Sequence, residues 1–350
     1  MERVEGIEAT TRTIPTEGPE SDGTFEWQET TVVLARVRAG DQTGLGYTYA
    51  DASVAGLIEG ELGPAIEGRD AGAVAACWAA MRRALRNAGQ AGAGAMALSA
   101  VDIALHDLRA RLLGVPAHRL LGGARDAVAI YASGGFCSWD DERLREWCAA
   151  VAPTGRVKIK VGRDPDADLD RLRVARAAAP GAELMVDANG AYRSVAEAAL
   201  WAERFGDADV RWLEEPLSSD DLAGLRLLRE RAPAGIAIAA GEYAWSPLDA
   251  RRMLEAGAVD VLQLDVTRCG GITGALMIDA LAWAHGAATS LHCAPAASVV
   301  VGTAMHTVRH LEHFHDHVRV EDEVFEGVPV ARGGLLAPVE RPGLGIEVRA

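Results

Sequence analysis

The feature that most constrains the fold is a unit that recurs through the second part of the chain: a short apolar run, an ionisable residue and an amphipathic helix pattern. The apolar runs are rich in Ala, Val and Leu without clear polar alternation, which is typical of strands buried on both faces. Eight such runs occur, at 128–131, 157–161, 183–186, 210–213, 236–240, 259–264, 288–291 and 310–311. Strands that alternate with helices in this way predict a parallel βα barrel.

The chain on either side of this repeat has different patterns. Strand-like runs at 30–37 and 44–49 and helical patterns at 71–86 and 97–113 predict an α+β domain. From 319 onwards Gly, Pro and Val predominate, and we expect no further barrel helix but a segment that packs back on the first domain. The predicted organisation is an α+β domain at 1–125, a barrel at 126–318 and a C-terminal segment at 319–350.

Composition excludes several classes of protein. The 350 residues carry 35 basic and 50 acidic side chains, a formal charge of −15 that argues against nucleic acid or an anionic membrane as partner. No apolar run approaches the roughly 20 residues needed to cross a bilayer, and the first residues lack a hydrophobic signal core, so we expect a cytoplasmic protein. The five cysteines show no CxxC spacing and are expected to be reduced, buried and inert.

Lysine is almost absent from the chain. Of the 35 basic residues 33 are arginines, and the two lysines, Lys158 and Lys160, lie two positions apart. Residues two apart on a strand share a face at about 6.6 Å, where two ammonium groups repel by about 2.5 kcal/mol at an effective dielectric of about 20. This repulsion predicts a lowered pKa and a general base at one lysine, with Lys158 as the charged partner. Chance placement is the alternative.

An ionisable residue also lies at the end of each later strand. Counted from Lys158, the successive intervals are 29, 27, 28, 23, 27 and 20 residues, each about one βα unit. The residues at these positions are Asp187, Glu214, Glu242, Asp265, His292 and Glu312. Active sites of βα barrels lie at the carboxyl ends of the strands. A charge that merely marks where a strand meets solvent would explain any one member, but not the ordered series. We therefore expect these side chains to converge.

Asp187, Glu214 and Glu242 lie on three consecutive strands. All-oxygen ligation without a soft ligand suits magnesium rather than zinc. Acidic side chains can equally form salt bridges with the many arginines. This is the alternative role for Glu215, beside Glu214, in particular. The placement of the trio favours a metal site.

Asp265 and His292 lie on the next two strands. A carboxylate can hold one imidazole nitrogen and direct the other towards a substrate. A structural histidine is the alternative, and the position of the pair in the series favours catalysis.

Taken together, these residues resemble the enolase superfamily, and within it the mandelate racemase subgroup. The matching motifs are Lys158-Ile-Lys160, Asp187-Ala-Asn189, Trp212-Leu-Glu214-Glu215-Pro216, Gly241-Glu242, Asp265 ahead of Gly270-Gly271-Ile272-Thr273-Gly274, His292 and Leu311-Glu312. The stretch from Ser99 to Asp107 and Gly122-Gly123 is similar as well, so the resemblance covers nearly the whole chain.

The resemblance implies a capping domain, completed by the C-terminal segment, over a (β/α)7β barrel. It implies Mg²⁺ held by Asp187, Glu214 and Glu242, and abstraction of the proton α to a substrate carboxylate through an enediolate. Lys160 is similar to the base on one face, and the His292–Asp265 dyad to the acid/base on the other. Lys158 and Glu312 resemble residues that bind the carboxylate oxygens, Asn189 one that contacts a substrate hydroxyl, and Arg268 either a basic residue near the dyad or a structural one.

Two outcomes share this apparatus. If the histidine protonates a departing β-hydroxyl, the enzyme dehydrates a sugar acid to a 2-keto-3-deoxy acid, the outcome that the resemblance favours. If Lys160 and His292 act as opposed bases, it is a racemase or epimerase of an α-hydroxy acid. A catalytically silent barrel that acts in binding is the third interpretation. The resemblance also implies a small-molecule carboxylate as partner and a homo-oligomer.

We expect loops at 14–25 and 47–51 to set substrate choice. Their candidate pocket residues, which solvated loops would explain equally well, are Thr16, Glu17, Glu20, Asp22 and Tyr49. His313, His315 and His317 alternate after Glu312 and are interpreted as loop residues over the barrel mouth; a transition-metal site is the alternative.

Overall fold

The computed structural model describes residues 2–349. Its N-terminal part is an antiparallel sheet in the order β1 (Gly6–Ser21), β2 (Glu26–Ala39) and β3 (Gln42–Tyr49). The helices that follow pack on this sheet and bury an apolar core of their own. They are α1 (Val54–Leu57), a π-helical turn (Ile58–Leu62), α2 (Gly63–Ile66), α3 (Val74–Ala84), α4 (Ala93–Leu112) and α5 (Ala117–Leu120).

The sequence prediction missed β1 and placed a loop at 14–25. The strand runs to Ser21 with a register shift between Pro15 and Glu20. Proline cannot donate a ladder hydrogen bond, and it is tolerated in β1 because this strand lies at the edge of the sheet. Only a short turn around Asp22 joins β1 to β2.

The barrel consists of eight parallel strands, closed by pairing of the last strand with the first. They are β4 (Val128–Gly134), β5 (Arg156–Lys160), β6 (Glu183–Asp187), β7 (Val210–Glu214), β8 (Ala237–Ala240), β9 (Val261–Leu264), β10 (Ala288–Leu291) and β11 (Val308–Phe314). The connecting helices are α6 (Asp141–Val151, continued by a 3-10 turn at Ala152–Thr154), α7 (Pro165–Ala178), α8 (Val195–Asp207), α9 (Leu222–Arg229), α10 (Pro247–Ala256), α11 (Gly271–His285) and α12 (Pro295–Gly302). The predicted fold class, a barrel with an α+β cap, is confirmed.

The barrel is filled by side chains from its own strands. Tyr131, Met185, Trp212, Ala239 and Val261 form a buried cluster inside the barrel, while a larger apolar cluster lies between the strands and the surrounding helices. Because the interior is packed, the strands can present functional side chains only at their ends.

A further helix, α13 (His315–Val324), follows β11 and crosses residue 319, where we expected no further helix. The prediction that the alternating histidines belong to a loop is wrong as well, since His313 lies in β11 and His315 and His317 lie in α13. Alternating residues do not share one face of a helix, so the spacing of the histidines gave no sign of α13. The helix forms with one face buried against the cap and the barrel.

The segment after α13 contains three two-residue strands, β12 (Phe325–Glu326), β13 (Leu335–Leu336) and β14 (Glu347–Val348). β13 pairs antiparallel with β4, and β14 pairs with β12. Leu344 N donates to Asp107 in α4, so the segment is anchored to the cap. The domain boundaries stated above stay a prediction. Within residues 2–349, no helix combines the length and apolarity needed to span a bilayer.

Candidate active site

The predicted series of ionisable residues lies together at the ends of the barrel strands. In the register of neighbouring strands, Lys160 lies beside Asp187, and Asp187 beside Glu214. These ends meet the cap at a cavity of about 500 Å³. Five of the barrel residues singled out from the sequence for catalysis or binding line this cavity: Lys160, Asn189, Glu242, Arg268 and His292.

Three carboxylates lie together beside the cavity. One oxygen from each of Asp187, Glu214 and Glu242 lies within 4.8 Å of the others, and all three side chains are buried. Oε2 of Glu242 makes no hydrogen bond, although it lies 3.3 Å from Nε2 of His292. A buried acceptor without a donor, in an all-oxygen set, is what a hard divalent cation requires. The donor set therefore fits Mg²⁺.

Both lysines are ion-paired with carboxylates from other strands of the barrel. Nζ of Lys158 lies 2.8 and 2.7 Å from the two carboxylate oxygens of Glu214 and 2.8 Å from Glu312. Nζ of Lys160 donates to Oδ2 of Asp187 at 2.6 Å. Lys158 is fully buried, whereas Lys160 is 6% exposed and reaches the cavity.

These contacts contradict the pKa predicted for the lysine pair. Burial acts to lower the pKa of Lys158, but its attraction to Glu214 and Glu312 outweighs burial and raises it. Burial and the Lys158 charge likewise act to lower the pKa of Lys160, and Asp187 raises it. The prediction of a lysine deprotonated by its lysine neighbour is wrong for this arrangement, because several carboxylates attract each ammonium and only one ammonium repels it.

Asp265 and His292 form the predicted dyad. Nδ1 of His292 lies 2.7 Å from Oδ2 of Asp265, whose other oxygen accepts hydrogen bonds from N and Oγ1 of Thr267. Burial disfavours the charged form of Asp265, yet the hydrogen bond from His292 prevails and lowers its pKa to about 2. Burial also acts to lower the pKa of His292, and Glu242 and Glu312 raise it. With Nδ1 fixed, Nε2 is the nitrogen available to a substrate.

The other predicted residues lie at the floor and side of the cavity. Glu312 is buried against Lys158, and neither side chain reaches the cavity wall. Asn189 reaches it on a backbone with φ 46°, and its Oδ1 has no hydrogen-bond partner. Nη1 of Arg268 lies 3.2 Å from Glu242, and its Nε lies 3.5 Å from Asp265, so this guanidinium neutralises acids of the site.

Cys293 is the residue that the sequence analysis missed in the site. Its Sγ lies 3.3 Å from Nε2 of His292 and 3.4 Å from Oε2 of Glu312, and it lines the cavity. All five cysteines are free, and four are buried as expected, but Cys137 is partly exposed. The position of Cys293 directly after His292 was the available signal. Burial, together with the charges of Glu312 and Asp265, raises the pKa of this thiol, and the expectation that it is inert stays a prediction.

The cap contributes a different set of side chains from the one predicted. Asp22 and Tyr49 line the cavity, but Glu17 borders another depression, and neither Thr16 nor Glu20 is among the lining residues. The ring of His317 stacks on Tyr49 with the centroids 3.4 Å apart and also lines the cavity. The three alternating histidines form no shared metal site within the described residues.

The turn between β1 and β2 docks closely on the barrel mouth. A Cβ at Gly23 would lie 2.4 Å from the backbone oxygen of Ala188 and 2.6 Å from that of Val161, so only glycine fits there. Thr24 donates to the backbone oxygen of Asn189, and Nη1 of Arg163 donates to backbone oxygens of the turn. The cap thereby closes one side of the cavity.

Two family models match the chain. The model described as "Mandelate racemase / muconate lactonizing enzyme, N-terminal domain" matches residues 7–122, and the model "Enolase C-terminal domain-like" matches residues 142–350. Together they cover most of the cap and nearly all of the barrel and the C-terminal segment.

Individual proteins are similar over nearly the same length. An L-rhamnonate dehydratase from Saccharopolyspora erythraea is 32% identical over 329 residues, which are 90% of this chain and 83% of that protein. A crystal structure of a mandelate racemase/muconate lactonizing enzyme-like protein from Rubrobacter xylanophilus superposes with a TM-score of 0.96 at 50% identity, covering 99% of this chain and 97% of the other. A racemase from Streptomyces coelicolor with bound magnesium superposes with a TM-score of 0.92 at 28% identity and the same coverage.

Proposed function

The chain belongs to the mandelate racemase/muconate lactonizing enzyme family of the enolase superfamily, and from this premise we propose that it dehydrates a sugar acid to a 2-keto-3-deoxy acid by Mg²⁺-dependent abstraction of the α-proton. The observation that carries the proposal is the common cavity of Lys160 and His292 beside three clustered carboxylates.

Asp187, Glu214 and Glu242 would hold the Mg²⁺. When bound, the ion would supply Lewis-acid chemistry and would offset the negative charge that develops on the substrate carboxylate as the α-proton leaves. The all-oxygen donor set and the undonated Oε2 of Glu242 support this assignment. Lys158 and Glu312 are proposed to bind the carboxylate oxygens, which requires the substrate carboxylate to extend below the present cavity wall, where both side chains are buried.

Lys160 is proposed to accept the α-proton. Its ammonium is bonded to Asp187 at 2.6 Å, and only a neutral amine can act as a base. Lys160 must therefore lose a proton to the solvent in the cavity, and with it this ion pair, before it takes the proton of the substrate. Lys158 stays fixed one layer deeper in the barrel, where it keeps a positive charge near the substrate carboxylate.

His292 is proposed to deliver a proton to the departing β-hydroxyl. Asp265 holds Nδ1, which leaves Nε2 directed to the cavity as the donor atom. Lys160 ends β5 and His292 follows β10, which are not neighbouring strands, so the two groups reach the cavity from separate parts of its wall. Asn189 is proposed to contact a substrate hydroxyl with its unpartnered amide oxygen.

The same two groups support a second candidate function. With Lys160 and His292 each able to exchange a proton with the α-carbon, the enzyme would racemise or epimerise an α-hydroxy acid. The similarity to a racemase over nearly the whole chain favours keeping this candidate. We also propose that the protein is a homo-oligomer. Light scattering of the protein as it elutes from a size-exclusion column would test this by giving its molar mass.

The test is incubation with Mg²⁺ and a library of sugar acids in D2O, monitored by NMR and by a semicarbazide assay for keto acids. Dehydration gives a keto acid, and epimerisation gives deuterium at the α-carbon with inverted configuration. Lys160→Met and His292→Asn are the matched variants, and each should lower turnover by at least about 10²-fold. Absence of exchange and turnover across the library would overturn the proposal in favour of a binding barrel.

A further inference from the structure

The charged groups of the cavity are distributed unevenly. On the cap side it is lined by the carboxylates of Asp22, Glu29 and Asp51, and Asp316 of α13 adds a fourth. Its cations, Lys160 and Arg268, lie at the barrel floor, where both are ion-paired with acids. The cap side of the cavity is therefore acidic.

The three cap carboxylates have no cationic partner among residues 2–349. Asp22 accepts hydrogen bonds from the backbone N and Oγ1 of Thr24 and the backbone N of Phe25, and Asp51 accepts one from the backbone N of Ser53. The exposed side chain of Glu29 forms neither a hydrogen bond nor an ion pair with any of the residues that the structure describes. Arg163 bonds the backbone oxygen of Asp22 rather than its carboxylate.

Asp316 differs from these three. It is buried, accepts a hydrogen bond from Thr30 and lies 2.6 Å from Nη2 of Arg319, so its charge is compensated. The uncompensated negative charge on the cap side of the cavity consequently comes from Asp22, Glu29 and Asp51.

The wall of the cavity is also aromatic. Phe25, Trp27, Tyr49 and Phe314 are among its lining residues. Aromatic faces accommodate the C–H surface of a polyol chain, while carboxylates accept hydrogen bonds from its hydroxyls. Among the described residues that line the cavity, Lys160 and Arg268 are both ion-paired, so no free Lys or Arg is offered to a second anionic group.

We propose that the site selects monocarboxylic sugar acids with a neutral hydroxylated tail and discriminates against the dicarboxylic acids of the same configuration. This inference rests on the proposed function, since it assumes that the reacting carboxylate lies at the barrel floor. The tail of the substrate then extends to the cap. A second carboxylate at its end would meet Asp22, Glu29 and Asp51, whereas a terminal hydroxyl would donate to them.

The experiment compares kcat/KM for three matched pairs: gluconate with glucarate, galactonate with galactarate, and mannonate with mannarate. We expect each accepted monoacid to exceed its diacid by on the order of tenfold at low salt, with the ratio falling in 0.5 M NaCl as the exposed charges are screened. In the Glu29→Gln/Asp51→Asn double variant the ratio should fall several-fold, because diacid turnover rises. The control is Glu61→Gln/Glu67→Gln, which removes two exposed cap charges outside the cavity and should leave the ratio unchanged.

Equal or preferred use of the diacids, or a ratio that is the same in both double variants, would overturn the inference while leaving the proposed function intact. Calorimetric binding of the same pairs to the Mg²⁺-loaded protein separates the two proposals further. If no acid turns over or exchanges deuterium, the proposed function fails, and tighter binding of the monoacids would still support the selectivity. Binding of neither member of any pair overturns the selectivity as well.

Discussion

Replacement of Lys158 by methionine tests the charge balance at the floor of the site. The ammonium is fully buried, contacts Glu214 and Glu312 at 2.7–2.8 Å, and lies 3.5 Å from Asp187. Methionine fills a similar volume but leaves these buried carboxylates without a cation between them. Removing one partner of a buried ion pair costs about 3–5 kcal/mol.

The expected change in melting temperature follows from the size of the chain. Unfolding entropy is about 2.1 cal/mol/K per residue, so 350 residues give about 0.7 kcal/mol per degree if cap and barrel unfold together. A loss of about 4 kcal/mol then lowers Tm by about 5 °C in EDTA. Excess Mg²⁺ should raise the Tm of Lys158→Met more than that of the unsubstituted protein, because a bound divalent ion supplies the missing charge and no ammonium competes with it.

Arg171→Met is the matched control for this measurement by scanning calorimetry. Arg171 is also a buried cation, but it donates to the backbone oxygens of Gly135, Phe136 and Trp139 rather than to carboxylates. Its removal should lower Tm with no additional gain from Mg²⁺. An unchanged Tm for Lys158→Met in EDTA, or equal Mg²⁺ shifts in all three proteins, would refute the charge-balance reasoning.

Three further predictions concern the dyad, the cap and the pH dependence of stability. Asp265→Asn should lower kcat by about 10²- to 10⁴-fold, with a smaller change in KM, because the imidazole loses its orienting charge; unchanged steady-state kinetics would contradict the dyad. Gly23→Ala places a Cβ 2.4 Å from the oxygen of Ala188 and should raise KM several-fold, whereas the control Gly6→Ala, where a Cβ meets nothing within 4 Å, should not; equal KM values would show that the turn does not shape the cavity. Burial raises the pKa of Glu321 to about 8 from 4.5. Between these two pH values the native state holds a proton that the unfolded state has lost. The contribution of Glu321 to the free energy of unfolding therefore falls by about 1.4 kcal/mol per pH unit as the pH rises through this range. Urea titrations at pH 5, 7 and 9 should show a flatter profile for Glu321→Gln, and a profile with the original slope would disprove the assignment.

The barrel could be predicted from the sequence because each strand is buried on both faces. Such strands appear as uninterrupted apolar runs, and the ionisable residue that ends each run marks the carboxyl edge. The runs at 157–161 and 183–186 coincide almost residue for residue with β5 and β6. Edge and surface elements carry no comparable pattern. Pro15 and the polar residues of β1 concealed a 16-residue strand, and α13 begins within a run of alternating histidines.

The residues of the site could be predicted, but the energetics of their contacts could not. The intervals along the chain indicated which side chains share the layer, and the structure brings them together. The pKa argument for the lysines failed because it considered two ammonium groups alone. Spacing along one strand fixes the separation of Lys158 and Lys160, whereas the register between strands decides that Asp187 lies beside Lys160. That register is a tertiary property, and it reversed the sign of the shift.

The depth of the two lysines explains why a chain otherwise rich in arginine uses ammonium groups here. Both point to the same face of β5, but the period of the strand sets Lys158 one layer below Lys160, so one is sealed among carboxylates and the other reaches the cavity. A compact ammonium with three donors suits the deep position between Glu214 and Glu312, where a planar guanidinium would need more room. At the cavity the proposed role of Lys160 as a base sets a different requirement, because a base must be able to lose its proton and arginine cannot do so. Replacing either lysine with arginine would thus preserve the formal charge and still remove what that position requires: a close fit below, and an exchangeable proton above.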